Sequence, residues 1–116
     1  MENKNQYGKF LTQLIKDKNM SQSSFYNQLG IKKPYFYDIV AGRVNPPPSD
    51  VQLRIIKILN LNESDIHKLF DLAANQRNEI PYDIVIYLKN RKLIKQIRRS
   101  NEYKQILGGI LKCQKN

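Results

Sequence analysis

Side chains suited to catalysis or metal binding are scarce in this sequence. His67 is the only histidine and Cys113 the only cysteine among 116 residues. A zinc site needs several Cys or His ligands at close spacing, and a histidine general base needs a neighbouring partner group. Gly108 and Gly109 are a lone pair within a helical pattern, unlike the glycine-rich loops that cradle phosphates. We therefore expect no enzymatic activity, no bound metal and no cofactor.

An excess of basic side chains is the strongest chemical signal in the composition. Twenty Lys and Arg residues stand against ten Asp and Glu, which gives a formal net charge of +10 at pH 7. A charge of this size favours a polyanionic partner, most often nucleic acid. Residues 89–116 carry nine basic and one acidic side chain, whereas residues 61–88 carry two and five. Most of the excess charge therefore lies in the tail.

The sequence also bears on the compartment. A single cysteine excludes an internal disulfide and fits a reducing environment. The first twenty residues lack the apolar core of a signal peptide, and no window approaches the roughly 18 apolar residues that span a bilayer. We expect a soluble, cytoplasmic protein with no membrane partner, and nothing in the sequence indicates a small-molecule ligand.

Two short helices joined by a tight turn are predicted over residues 21–42. Ser21 can cap the first helix, because its hydroxyl can accept a hydrogen bond from a free first-turn N–H. Gly30 and Gly42 each follow a helical stretch, where a left-handed backbone costs glycine little. Pro34 lies at the start of the second helix, where its missing N–H is not needed. In a strongly basic chain, this arrangement is typical of proteins that present one helix to the DNA major groove.

Further helices are indicated on both sides of this pair. Apolar side chains at helical spacing predict a helix over residues 6–18, and Ser49 and Asn62 are the predicted caps of two more. The Asn-Pro-Pro-Pro run at residues 45–48 cannot continue a helix, so we expect a stiff extended connector. No strand-like alternation is present, and the predicted fold class is all-α. The predicted core residues are Tyr7, Phe10, Leu11, Leu14, Ile15, Phe25, Leu29, Phe36, Ile39, Val40, Val51, Ile55, Ile58, Leu59, Ile66, Leu69, Phe70 and Ala73.

The last third of the sequence predicts a helical extension. A polar loop is expected at residues 75–80, after which Pro81 opens a helix. Two apolar stripes follow, at residues 93–97 and 103–111, and Ser100 is a candidate cap for the second. Each stripe is too short to form a stable isolated helix, so it must pack on its own domain or on a second subunit. We favour a homodimer through these helices, with the usual two-fold symmetry.

Several short motifs in the first part of the chain are together specific to one family. They are the Ser-Gln start at residues 21–22, the Leu-Gly turn at 29–30, Gly42, and the Asn-Pro at 45–46. With the helices around them, they make residues 7–74 resemble the lambda-repressor-like, Xre/Cro-type helix-turn-helix family of phage repressors and bacterial regulators. The resemblance implies a five-helix domain over residues 6–75 that binds operator DNA, usually as a dimer. Residues 76–116 would then form a basic C-terminal helical extension.

The resemblance also implies a set of DNA-contacting residues. Gln22 matches a position that contacts a phosphate or buttresses a base contact, and Arg43 matches one that approaches the backbone. Lys33 has the chemistry to donate to guanine O6 and N7, and tyrosine hydroxyls can reach phosphates. The full candidate set is Gln22, Lys32, Lys33, Pro34, Tyr35, Tyr37, Asp38 and Arg43.

Three residues depart from what a DNA surface requires. Tyr26 stands where the family usually has alanine, so its ring must either turn outward or widen the crossing of the two helices. Pro34 offers only an apolar surface, for example to a thymine methyl. Asp38 can accept from cytosine N4, yet its carboxylate repels nearby phosphates.

Three hypotheses follow from the sequence. The first is a sequence-specific transcriptional repressor from a phage or other mobile element. The second, motivated by the three departures, is a protein-binding module on the same scaffold, such as an inhibitor of a host nucleic-acid enzyme. The third is sequence-independent nucleic-acid binding led by the basic tail.

Overall fold

Every regular element in the part of the chain that the structure describes is a helix. This structure, a computed structural model, describes residues 5–114, with the backbone alone at residue 114. No strand occurs within this range, which confirms the all-α class. The helices are α1 (Gln6–Asp17), α2 (Gln22–Leu29), α3 (Lys33–Ala41), α4 (Ser49–Leu59), α5 (Glu63–Arg77), α6 (Tyr82–Leu88), α7 (Arg91–Arg99) and α8 (Asn101–Gln114).

The helices form two compact units. The first ends at Asp83 and contains α1–α5 with the start of α6, whereas the second begins at Ile84 and contains α7 and α8. The predicted boundary between the domain and the extension, at residue 75, stays a prediction.

The core of the first unit is built from apolar side chains of α1 to α5. In this unit α1 packs against α3 and α5, and α2 packs against α4. Phe25 and Phe36 are fully buried, with their ring centroids 5.9 Å apart. The predicted core residues are buried except Phe10, Val40, Ile58 and Ile66, which are half-buried against the same cluster. Helical spacing therefore located the core correctly.

Side chains cap α2 and α5 at the residues that the sequence predicted. The backbone N–H of Ser24 donates to Ser21 Oγ at 3.0 Å, and that of Asp65 donates to Asn62 Oδ1 at 2.8 Å. Ser49 was expected to cap α4, which is wrong: Pro48 occupies the cap position and Ser49 is already helical. A proline with extended backbone can precede a helix directly, because the first helical turn needs no N–H from it.

The backbones of α1 and α3 are in direct contact at Gly8. A Cβ atom placed on Gly8 would lie 2.1 Å from the carbonyl oxygen of Val40, far inside van der Waals contact. Only glycine allows the two helices to come this close. The position of α3 in the domain therefore depends on a residue of α1.

The segment between α3 and α4 is partly buried, and side chains of α5 hold its backbone. Pro46 and Pro47 are buried. Arg77 donates from its guanidinium to the Pro46 carbonyl at 2.6 Å, and Gln76 donates to the Val44 carbonyl at 3.3 Å. The loop predicted over residues 75–80 is thus wrong in its first three residues, because α5 continues to Arg77.

In the second unit, α7 and α8 pack against each other. Asn90 Oδ1 accepts from the N–H groups of Lys92 and Leu93 at 3.0 and 3.3 Å, which caps α7. The N–H of Tyr103 donates to Ser100 Oγ at 3.2 Å, which confirms the predicted cap of α8. No helix in the described range is both long and apolar enough to cross a membrane. Large apolar side chains remain exposed at Ile84, Ile86, Tyr87, Ile97, Ile106, Leu107, Ile110 and Leu111.

Candidate nucleic-acid interface

A tight left-handed turn joins α2 and α3. Gly30 has φ +81°, a conformation that L side chains rarely adopt, and the N–H groups of Gly30 and Ile31 close the end of α2. The guanidinium of Arg54 donates to the Leu29 carbonyl at 2.9 Å, which ties the turn to α4. The turn is therefore held both by its own backbone and by a side chain from another helix.

The two sides of α3 differ sharply in accessibility. Phe36 and Ile39 are buried and hold the helix against the core. All eight predicted contact residues have solvent access: Lys32, Lys33, Pro34, Tyr35, Tyr37 and Arg43 are exposed, and Gln22 and Asp38 are half-buried. The domain thus presents the outer face of α3 on a rigid scaffold.

Tyr37 connects the start of α2 to α3. Its hydroxyl donates to Gln22 Oε1 at 3.3 Å, and Lys33 Nζ lies 6.0 Å from its ring centroid. A cation at this distance from an aromatic ring is weakly attracted to it. The structure therefore brings three predicted contact residues into one group, centred on Tyr37.

Asp38 and Arg43 form an ion pair at the end of α3. Arg43 Nε lies 2.7 Å from Asp38 Oδ1, and the Arg43 N–H also donates to the Asp38 carbonyl at 2.9 Å. Gly42, with φ +77°, turns the chain back so that both contacts form. The terminal nitrogens of the Arg43 guanidinium have no partner among the described residues. The pair neutralises the carboxylate and leaves N–H donors of Arg43 available.

The pairing of Asp38 with Arg43 was not among the interactions that the sequence predicted. Two of the predicted contact residues pair with each other, five positions apart, although helical neighbours lie three or four apart. The sequence pattern that could have indicated this pair is Asp38 near the end of a helix, followed by Gly42 and Arg43.

Tyr26 does not turn outward. It is half-buried, and its ring centroid lies 5.5 Å from that of Phe36. Aromatic pairs at this separation attract each other. Tyr26 therefore packs between α2 and α3 and is part of the contact between them.

Tyr7 lies beneath the candidate interface. Burial raises the pKa of Tyr7 well above its ordinary value, and the nearby Tyr35 adds to the shift. The buried hydroxyl has no hydrogen-bond partner among the described residues. Tyr7 therefore contributes to the packing of α1 mainly through its neutral, apolar ring.

The side chains considered for catalysis, His67 and Cys113, both lie at exposed positions. His67 Nε2 lies 3.8 Å from Glu63 Oε1 on an exposed face, and Cys113 is exposed. Among the described residues, no three His, Cys, Asp or Glu side chains are grouped closely enough to hold a metal ion.

A short helix, a left-handed glycine turn and a second helix with an exposed polar outer face define a helix-turn-helix DNA-binding domain. The family model of the Cro/C1-type HTH DNA-binding domain matches residues 11–71, just over half of the chain. The chain belongs to this family, which confirms the resemblance to Xre/Cro-type regulators. No curated protein and no solved structure matches the chain.

Proposed function

We propose that this protein is a sequence-specific transcriptional repressor that places α3 in the major groove of double-stranded DNA. Membership of the Cro/C1-type family supports a DNA-binding regulator in general. The observation that carries the finer proposal is the accessibility of α3: Lys33, Tyr35 and Tyr37 are exposed, while Phe36 holds the helix on the core. Base-reading side chains need such a rigid support.

The site residues divide into two roles in this proposal. Lys33, at the N-terminal end of α3, donates to guanine O6 and N7, since the N-terminal residues of a recognition helix contact base edges. Arg43 contacts a backbone phosphate with its free guanidinium nitrogens. Asp38 orients Arg43 through the 2.7 Å ion pair rather than reading a base. Gln22 buttresses Tyr37 through their hydrogen bond.

Dimerisation completes the proposed mechanism. Ile106, Leu107, Ile110 and Leu111 of α8 are exposed, and a second copy of the chain would bury them. A two-fold dimer would read two half-sites about 34 Å apart, one turn of the duplex. We further place the protein in the cytoplasm, among regulators of phages or mobile elements, because the family resemblance is to such regulators.

Selection of bound duplexes from a random pool tests the proposal. We expect a palindromic consensus from the wild-type chain. The Lys33→Ala variant should select the same consensus with one base pair relaxed in each half-site, because the bidentate contact is worth about 1–3 kcal/mol. Lys9→Ala, at an exposed position of α1, is the matched control and should leave the consensus unchanged. A pool that shows no enrichment would overturn the proposal.

A second candidate function rests on the aromatic character of the same surface. Pro34, Tyr35 and Tyr37 are exposed together, and tyrosine is enriched in protein–protein interfaces. The Asp38–Arg43 pair adds no net charge. A protein-binding inhibitor built on this scaffold would capture a stoichiometric partner that survives nuclease treatment, and the Tyr35→Ala variant would lose it.

A further inference from the structure

Helix α7, in the second unit, separates its charged and apolar residues completely. Its five cations are exposed, and at 3.6 residues per turn they fall within an arc of about 120°. These five residues, here called the α7 basic face, are Arg91, Lys92, Lys95, Arg98 and Arg99. The opposite side carries Leu93, Ile94 and Ile97.

The α7 basic face places like charges close together on one helix. Lys95 stands four residues from both Arg91 and Arg99, a spacing at which like charges repel. Arg91 and Lys92 lie in the first turn, where the helix dipole favours anions. The helix contains no carboxylate, and none of the five cations forms an ion pair within the described residues. An anionic ligand would remove this repulsion.

We propose that the α7 basic face binds the phosphate backbone of DNA as a second anchor that does not read sequence. The nine residues of α7 extend about 13 Å, and a duplex carries one negative charge per roughly 1.7 Å of its axis. Three of the cations are arginines, whose guanidinium matches phosphate geometry. This anchor adds to the proposed function, but it does not require α3 to distinguish one DNA sequence from another. When α7 is bound, the local concentration of the first unit near DNA is higher.

The apolar side of α7 argues against a membrane surface as the ligand. Helices that lie in a membrane interface bury a large apolar face. Leu93 and Ile94 are half-buried, and α7 packs against α8, so Ile97 alone among its apolar residues is exposed. The exposed apolar side chains of α8 are assigned to the proposed dimer. The basic charge of α7, whose own apolar side is largely covered, therefore favours the polyanion.

The salt dependence of binding tests this anchor in the full-length chain. The variant is Lys95→Gln/Arg98→Gln/Arg99→Gln, and the probe is a fluorescent duplex of scrambled sequence followed by anisotropy. Each phosphate contact contributes about 0.9 to the slope of log K against log salt, so we expect a slope shallower by about 2 to 2.7. The matched control, Lys9→Gln/Lys16→Gln/Lys57→Gln, removes the same charge from exposed positions of the first unit and should change the slope by less than about 1.

Each outcome decides the proposal. A slope equal to the wild-type value, or an equal change in the control, would overturn it. Loss of binding to vesicles of phosphatidylcholine and phosphatidylserine, with the DNA slope unchanged, would overturn it in favour of a membrane surface. The test is independent of the repressor proposal. If the random pool gives no consensus, the salt dependence of binding to scrambled DNA can still be measured. The α7 variant should retain any consensus that the wild type selects.

Discussion

Asp38 and Arg43 face each other across the left-handed turn that ends α3, with 2.7 Å between Oδ1 and Nε. Both side chains are partly exposed, at 40% and 62%, so the pair adds only about 0–1 kcal/mol to stability. Its main consequence is geometric. The guanidinium is fixed beside the outer face of α3, where a phosphate would pass in the proposed complex.

Asp38→Asn tests whether the carboxylate positions Arg43. We expect the affinity for scrambled DNA to rise, because the positive charge of Arg43 is then no longer offset by a carboxylate. The ratio of affinities for selected and scrambled duplexes should fall, because the fixed direction of Arg43 helps to hold α3 in the one register in which it reads bases. Anisotropy titrations with both duplexes measure the two effects. Asp71→Asn, an exposed position on α5, is the control for charge, and an equal fall in the ratio there would contradict the positioning role.

Gly8→Ala tests the close contact between α1 and α3. The new methyl group would collide with the Val40 carbonyl, which belongs to the backbone and has no freedom to rotate away. We expect a loss of about 1–3 kcal/mol in the free energy of unfolding, measured by urea denaturation. Lys9→Ala, the exposed neighbour, should change it by less than about 0.5 kcal/mol. Equal stability of the two variants would show that the helices are further apart.

Tyr7→Phe removes a buried hydroxyl that has no partner among the described residues. We expect the free energy of unfolding to rise by about 1 kcal/mol, since an unsatisfied buried polar group is costly. The pKa of Tyr7 is raised in the folded state, so above the ordinary value of 10.0 the hydroxyl ionises in the unfolded chain first. The free energy of unfolding is therefore unaffected by this titration below pH 10 and falls as the pH rises further.

Urea unfolding between pH 8 and pH 11 separates Tyr7 from the other tyrosines. The wild type should lose more stability than Tyr7→Phe above pH 10, whereas Tyr87→Phe, at an exposed position, should behave like the wild type. Parallel curves for the wild type and Tyr7→Phe would mean that Tyr7 is accessible to solvent.

Ile106→Asp/Ile110→Asp tests the proposed dimer. Both side chains are exposed on α8, so two carboxylates there should leave the first unit folded and prevent association. Sedimentation velocity should give a dimer for the wild type and a monomer for the variant. Lys104→Asp, an exposed polar position on the same helix, should remain dimeric. A wild-type chain that sediments as a monomer at micromolar concentration would refute the dimer.

Local signals in the sequence predicted most of the helix ends. Ser21, Asn62 and Ser100 cap through their own side chains, and Gly30 and Gly42 adopt the left-handed conformation that they were expected to adopt. Each of these caps and turns depends on residues only a few positions away, so the local sequence is sufficient to predict it.

Contacts between distant parts of the chain could not be predicted in this way. Arg77 anchors the loop at Pro46, and Gly8 sets the distance to Val40, yet each pair is more than 30 residues apart. The polar composition of residues 75–80 predicts a loop that includes Arg77. In the structure, the Arg77 guanidinium instead donates to the carbonyl of the buried Pro46. Such contacts depend on tertiary packing, which cannot be predicted from the spacing of residues that are close together in the sequence.

Backbone amide chemical shifts on addition of a selected duplex test most directly whether α3 reads DNA. We predict the largest changes at Gln22, Lys33, Tyr35, Tyr37 and Arg43, with smaller changes in residues 91–99. On a scrambled duplex, the changes in residues 91–99 should persist while those in α3 diminish. Changes confined to residues 91–99 on both duplexes, with α3 unaffected, would contradict the proposed role of α3.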